Sequence, residues 1–132
     1  LHNGDISIHF THEMDNPVAR IDRDQMMQVL TNLEKNAVEA MPEGGKLHIS
    51  LESRGYDVRI TVSDTGQGIS KENMDKLFTP FFTTKGVGKG TGLGLPLVYG
   101  IVKMHKGKIE VVSNADPGQG ETGTSFIIHI PR

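Results

Sequence analysis

The sequence contains no cysteine among its 132 residues, and this absence excludes two kinds of stabilising site. Without thiols the chain can form neither a disulfide framework nor a thiolate zinc site. It also lacks any run of about 18 apolar residues, the length that a helix needs to span a bilayer. We therefore expect a soluble, cytoplasmic domain with no direct membrane insertion, and 36% hydrophobic with 23% charged residues is typical of an ordinary globular fold.

Excess positive charge is absent as well. The formal net charge is -2 at pH 7, whereas binding a nucleic-acid backbone needs a clustered positive patch, so we expect no nucleic-acid partner. The chain has no internal repeat, and its length suits a single domain over residues 1–132. Because it starts at Leu1 and carries no signal-peptide pattern, we expect a segment of a longer protein, either soluble or membrane-anchored.

The spacing of apolar residues predicts the elements of the fold. Alternation predicts strands around 6–10, 47–51, 58–62, 109–112 and 125–130. Helical periodicity predicts an amphipathic helix from the N-cap Asp22 to a stop at 42–45, and two further helices at 71–77 and 93–105. Residues 79–91 have no period and predict a long loop. These elements indicate an α+β fold, a two-layer α/β sandwich with a mixed, mainly antiparallel sheet of about five strands and about three helices on one face.

Two polar residues continue apolar rows of the predicted strands. Asp64 follows Val62 at strand spacing, and Thr124 precedes Phe126 in the same way, so both should face the core side of the sheet. Burying an ionised carboxylate without a donor is costly, so Asp64 should meet a donor from the protein or from a ligand. A turn-forming aspartate at a strand end, followed by the glycines that such a turn needs, explains the same residues equally well.

Glycine is concentrated in one part of the chain. Seven of the sixteen glycines fall between Gly66 and Gly94, which indicates left-handed backbone or close backbone approach. The last of them open a predicted helix, where free amides and the positive end of the helix dipole favour phosphate. Upstream, Asn32 and Asn36 lie four residues apart on one helix, so they can meet one ligand, although such a pair is also typical of a solvated helix face.

Four segments, taken in order, resemble the N, G1, F and G2 boxes of sensor histidine kinases of the GHKL superfamily. They are Asn32-Leu33-Glu34-Lys35-Asn36-Ala37, Asp64-Thr65-Gly66-Gln67-Gly68-Ile69, Phe78-Thr79-Pro80-Phe81-Phe82 and Gly90-Thr91-Gly92-Leu93-Gly94-Leu95. The segment Gly123-Thr124-Ser125-Phe126 is similar to that family's terminal strand. Each box alone is degenerate, whereas four in the family's order are specific. The resemblance implies a GHKL-type ATP-binding fold with a mobile ATP lid.

The resemblance further implies the catalytic, ATP-binding domain of a sensor histidine kinase. Such a domain binds Mg-ATP and transfers the γ-phosphate to a histidine on a separate dimerisation and phosphoacceptor domain of a dimeric parent kinase, leaving ADP, and a cognate response regulator follows. Asp64 would accept a hydrogen bond from the adenine amino group with help from Thr124, and Asn36 would hold magnesium. The implied ATP-binding residues are Asn32, Lys35, Asn36, Asp64, Gly66, Gly68, Ile69, Phe78, Phe82, Thr83, Thr84, Lys85, Lys89, Gly90, Thr91, Gly92, Leu93, Gly94, Leu95 and Thr124.

The residue at position 32 favours transfer over hydrolysis. Related gyrase-like and chaperone-like ATPases carry a glutamate one helical turn before the magnesium-binding asparagine, where it activates water, whereas the Asn32 amide cannot act as a general base. Asn32 and Asn36 are therefore the expected catalytic residues of a site that hydrolyses ATP slowly. Glu34 departs from the apolar residue usual in the family, and we interpret it as a packing feature that points away from the asparagine face.

Other functions and motifs compete with this interpretation. A GHKL-type ATPase or a nucleotide-binding module would hold ATP without transfer, and Asp64-Thr65-Gly66 also matches the catalytic triplet of a homodimeric aspartic protease. His12, with a proline five residues later, mimics the phosphoacceptor box but continues a strand pattern. The G-x-G-x-x-G match at 118–123 precedes a strand instead of a helix, so it predicts a hairpin turn.

Overall fold

The sheet of the computed structural model has five strands, and the structure describes residues 6–13, 21–80, 82 and 94–131. The strands are β1 (Ile6–Glu13), β2 (Gly45–Arg54), β3 (Asp57–Asp64), β4 (Lys108–Asn114) and β5 (Gly123–Pro131). Their spatial order is β1-β2-β3-β5-β4. β1 pairs with β2 in parallel and the other pairings are antiparallel, which confirms the predicted mixed, mainly antiparallel sheet.

The helices are α1 (Arg23–Glu39), α2 (Lys71–Met74) and α3 (Gly94–Met104). Asp22 caps α1 as predicted, since its Oδ1 accepts a hydrogen bond from the Gln25 amide at 3.0 Å. None of the helices in the described ranges is long and apolar enough to cross a membrane. A 3₁₀ turn (Pro117–Gln119) joins β4 to β5, so the predicted hairpin turn is confirmed, and position 12 lies on strand β1.

α2 is shorter than the predicted helix at 71–77. After Met74 the backbone continues in tighter turns, in which the Lys76 amide donates to the Asn73 carbonyl at 3.0 Å. These turns bring Leu77 into the core, where it is 7% exposed, and burying that side chain offsets the lost helical turn. Of the predicted loop at 79–91, residues 81 and 83–91 lie outside the described residues.

The core lies between one face of the sheet and the two longer helices. Alternate strand residues supply the sheet side, which is why Leu47, Val62 and Ile128 are each at most 2% exposed. The apolar stripe of α1 supplies Val29 and Leu33, and α3 supplies its own buried residues beside them. The opposite face of the sheet carries no helix in the described part of the chain, so the fold is the predicted two-layer α/β sandwich.

Candidate functional site

Asp64 ends β3 on the face that packs against the helices. Its Oδ1 accepts a hydrogen bond from the Gly66 amide at 2.8 Å. Burial raises the pKa of the Asp64 carboxyl above its ordinary value, while hydrogen bonds from the backbones of Gly66 and Thr124 partly offset that rise. Desolvation therefore outweighs the donors that the protein supplies. A carboxyl group in this state gains from any further N–H donor that a ligand brings.

A chain of hydroxyl groups lies beside this carboxyl. Thr124 is the register partner of Asp64 across β3 and β5, and it is 5% exposed. Its Oγ1 lies 2.7 Å from Ser113 Oγ, on the neighbouring strand β4. Ser113 Oγ also accepts a hydrogen bond from the Ile69 amide at 2.7 Å. The end of the sheet thus carries a carboxyl group on β3 and, beside it, two hydroxyl groups that contact one another across β4 and β5.

Ser113 is a site residue that the sequence reasoning missed. It continues the half-buried, core-facing row of Ile109 and Val111 on β4, at the same two-residue spacing that singled out Asp64 and Thr124. Applying the same rule to β4 would have found it. The strand register then places Ser113 directly opposite Thr124.

Gly66 and Gly68 hold the segment after β3 against the rest of the protein. A Cβ at Gly66 would collide with the Ala40 carbonyl at the end of α1, and the Gln67 amide donates to that same carbonyl at 3.0 Å. Gly68 has φ of +78° and lies against the Asn114 backbone. The structure therefore explains both glycines by close approach within the chain. Their implied role in binding ATP stays a prediction.

The polar face of α1 meets the start of α3. Asn32 is half-buried, and its Nδ2 donates a hydrogen bond to the Gln28 carbonyl at 2.9 Å. Its Oδ1 faces Gly94, because a Cβ built there would lie 2.9 Å from that oxygen. Asn36, one turn later, is half-buried as well, whereas Lys35 is exposed. The structure thus brings the first and the last of the four sequence boxes together.

The first residue of the F box, Phe78, packs against the side of α3. The Phe78 ring lies 5.2 Å from the Tyr99 ring at an angle of 38°, and Lys103 Nζ lies 5.4 Å from the Tyr99 ring centroid. Phe82 is half-buried, and its amide donates to the Thr79 carbonyl at 3.2 Å. Eight further residues that the resemblance assigns to ATP binding, in the G2 box and the loop before it, lie outside the described residues. They are Thr83, Thr84, Lys85, Lys89, Gly90, Thr91, Gly92 and Leu93.

The candidate site therefore has two chemically different ends. At one end, Asp64, Thr124 and Ser113 present oxygen atoms at the edge of the sheet, and Ile69 is tied to them through its amide. At the other end, Asn32 lies beside Gly94, where α3 begins and first-turn amides have no intrahelical partner. Leu95 is half-buried and packs against the core just after this point. An oxygen-rich end suits an amino group, and a helix start suits an anion.

Comparison with known proteins places this arrangement in context. Residues 21–132 match the model of a family described as histidine kinase-, DNA gyrase B-, and HSP90-like ATPase. The chain is 40% identical over 123 residues to the sensor histidine kinase ZraS of Escherichia coli K12, which is 93% of the chain but 26% of ZraS. The chain therefore spans about a quarter of the length of this relative.

Solved structures give the same picture. The nucleotide-free catalytic domain of histidine kinase ThkA superimposes with a TM-score of 0.81 at 38% identity, over 96% of this chain and 80% of that one. ThkA in complex with the response regulator protein TrrA is similar with a TM-score of 0.69, also at 38% identity, over 94% of this chain and 34% of that one.

Proposed function

The chain belongs to the histidine kinase-, DNA gyrase B- and HSP90-like ATPase family and has the fold of a histidine kinase catalytic domain, and from this premise we propose what its site does. It binds Mg-ATP and transfers the γ-phosphoryl group to a histidine of a separate domain, and ADP leaves. The observation that carries this proposal is the pairing of a desolvated acceptor, Asp64, with a helix start that faces Asn32.

Asp64 accepts a hydrogen bond from the amino group of adenine. Its carboxyl is half-buried, and among the described residues it accepts from the backbones of Gly66 and Thr124, so a ligand N–H adds a charge-assisted bond. Such a bond contributes about 1.5–3 kcal/mol. The Thr124 hydroxyl group lies on the same face of the sheet as Asp64 and is the second polar group at this end of the site. Gly66 and Gly68 hold the intervening backbone in place, and Ile69 flanks the base.

The start of α3 receives the phosphates. This helix has 11 residues, and its first amides carry the positive end of the helix dipole. Gly94 lets Asn32 approach this point, because a side chain there would press on the amide oxygen. In this proposal, Gly90 and Gly92 of the G2 box, together with Lys85 and Lys89, extend the phosphate site.

The residues on α1 fit a magnesium ion. Mg²⁺ takes oxygen ligands, keeps several waters, and is usually held by one or two side chains together with substrate phosphates. Asn32 and Asn36 offer amide oxygens on one helix face, and no cluster of three acidic, histidine or cysteine side chains occurs in the described ranges. Asn36 would hold the ion, with Asn32 lining the same site. The bound ion would neutralise charge on the phosphate oxygens.

The same face explains why ATP is not spent on water. An asparagine amide takes no proton, so neither Asn32 nor Asn36 activates water as a general base. Glu34 is exposed, two residues along the helix, where it does not share the asparagine face. The γ-phosphoryl group is therefore kept for a histidine nitrogen, which attacks phosphorus while the bond to the β-phosphate oxygen breaks and ADP leaves with the electron pair.

The partners follow from this reaction. The nucleophile comes from a phosphoacceptor and dimerisation domain of the same parent kinase, so residues 1–132 act as one catalytic domain of a longer, dimeric protein. A cognate response regulator then receives the phosphoryl group, which the similarity to ThkA bound to TrrA supports. The alternative of an aspartic protease finds no support in the comparisons, since the matched family and relatives are ATPases and kinases.

Two measurements test the proposal. Calorimetric titration of Mg-ATP should give tight binding for wild type and for Asp24→Asn, a matched control on the exposed first turn of α1. Incubation with γ-labelled ATP and a separately supplied helical domain that carries a phosphoacceptor histidine should then label that domain. Absence of ATP binding would refute the proposed function, and binding without any transfer would identify a nucleotide-binding module instead.

A further inference from the structure

Ser113 makes three polar contacts at the end of the site that holds Asp64 and Thr124, which is called the candidate adenine end below. Its Oγ accepts from the Ile69 amide at 2.7 Å, contacts the Gly123 carbonyl at 3.0 Å, and contacts Thr124 Oγ1 at 2.7 Å. The first partner has only a proton to give, and the second can only accept. The third is another hydroxyl, whose role the first two contacts decide.

Counting protons gives the direction of each bond. A serine hydroxyl has one proton and two lone pairs. The single proton of Ser113 goes to the Gly123 carbonyl, and one lone pair accepts from the Ile69 amide. The contact with Thr124 is then satisfied only if Thr124 donates its own proton to Ser113. If Ser113 donated its proton to Thr124 instead, the Ser113 oxygen and the Gly123 carbonyl oxygen would face each other with no proton between them.

This direction determines what Thr124 offers to a ligand. With its proton committed to Ser113, the Thr124 hydroxyl presents lone pairs only. Asp64, its register partner, is also an acceptor when ionised. Both side chains at this end of the sheet therefore seek donors. An exocyclic amino group has two N–H bonds to offer, whereas a carbonyl oxygen in its place would face two acceptors.

We propose that Ser113 is a positioning residue that holds the Thr124 hydroxyl as an acceptor and so makes the site select 6-amino purine nucleotides over 6-oxo purine nucleotides. This inference rests on the proposed nucleotide site, and it adds a residue and a direction of hydrogen bonding to it. Ser113 acts through Thr124, so its removal changes the choice of base more than the strength of binding.

The chain offers a matched control for this residue. Ser63 Oγ and Ser125 Oγ form a second hydroxyl pair, also 2.7 Å apart and also between neighbouring strands. By strand alternation, this pair lies on the opposite face of the sheet from Asp64 and Thr124. Ser63→Ala therefore removes a similar cross-strand hydroxyl contact without touching the candidate adenine end.

The test compares the dissociation constants of Mg-ATP and Mg-ITP, which differ in the 6-amino and 6-oxo groups. Wild type and Ser63→Ala should prefer ATP strongly. Ser113→Ala frees the Thr124 proton to turn toward a 6-oxo group, so the preference should fall by about tenfold, since a site loses discrimination when a mismatched pair becomes satisfied. Ser113→Thr keeps the hydroxyl and should restore the preference. An unchanged ATP to ITP ratio in folded Ser113→Ala would overturn the inference.

A second variant keeps the test decisive if Ser113→Ala does not fold. Thr124→Val removes the lone pairs that oppose a 6-oxo group, so the preference for ATP should again fall. If Thr124 were instead a donor, the same change would penalise ITP and the preference would rise, which contradicts the proposal. Wild type that binds ATP and ITP equally refutes the role of Ser113 alone, whereas wild type that binds neither refutes the nucleotide site itself.

Discussion

Replacing Asp64 with asparagine tests the site most directly. The change preserves shape and removes the charge that the adenine amino group is proposed to meet. A hydrogen bond to a charged acceptor contributes about 1.5–3 kcal/mol. Losing it should therefore raise the dissociation constant of Mg-ATP by about 10- to 150-fold, at tenfold per 1.4 kcal/mol. The exposed control Asp24→Asn should bind like wild type.

The raised pKa of Asp64 adds a dependence on pH to this prediction. Binding an amino group needs the ionised carboxylate, so wild-type affinity should fall as pH falls through the raised pKa of Asp64. The phosphates of ATP titrate too, but they do so equally with both proteins. The ratio of wild-type to Asp64→Asn affinity should therefore shrink toward one at low pH.

Stability of the free protein should respond with the opposite sign. Because burial raises the folded pKa of Asp64 above the unfolded one, the protonated form favours folding. This contribution is fully present below the unfolded pKa and is lost as pH rises through the folded pKa. Asp64→Asn has no such loss, so at neutral pH it should be at least as stable as wild type.

The assay is calorimetric titration of Mg-ATP from about pH 8 down to about pH 4, near the ordinary pKa of an aspartate, with urea unfolding of the free proteins across the same range. Equal affinities of wild type and Asp64→Asn at neutral pH would sink the assignment of Asp64 to adenine. A loss of affinity accompanied by a loss of stability would instead mark Asp64 as a structural residue.

Three further predictions concern single positions. Gly68→Ala should lower the free energy of unfolding by about 2–5 kcal/mol in urea titrations, because the new Cβ combines a positive φ with a backbone collision. Gly55→Ala is the control: Gly55 has φ of +59° and open space around it, so the loss should be only about 1–2 kcal/mol. His105→Ala should destabilise by about 0.5–1.5 kcal/mol, because His105 Nε2 accepts from the Asp22 amide at 2.8 Å and ties the end of α3 to the start of α1; unchanged unfolding curves would contradict this. Glu34→Gln should leave both ATP binding and slow hydrolysis unchanged in a phosphate-release assay, and a variant that binds ATP but no longer hydrolyses it would make Glu34 the base.

Much of the fold was predictable because its elements are local. The alternation on β3 and β5, the stripe of α1 and the N-cap Asp22 each depend on residues within a few positions of one another. The boundary of α2 was predicted too long, since the tighter turns after Met74 are stabilised by burying Leu77 in a core that the local pattern does not describe.

By itself, the sequence determined the strand parity that turns Asp64 and Thr124 toward the helices, and the order of the four boxes that indicates an ATP site. Tertiary structure alone decided which of these groups meet. Asn32 lies against Gly94, and Ser113 meets Thr124, Gly123 and Ile69, only because separate elements converge. Periodicity sets the face on which a side chain lies, whereas the register between strands sets its partners, and partners determine the direction in which each hydroxyl proton points.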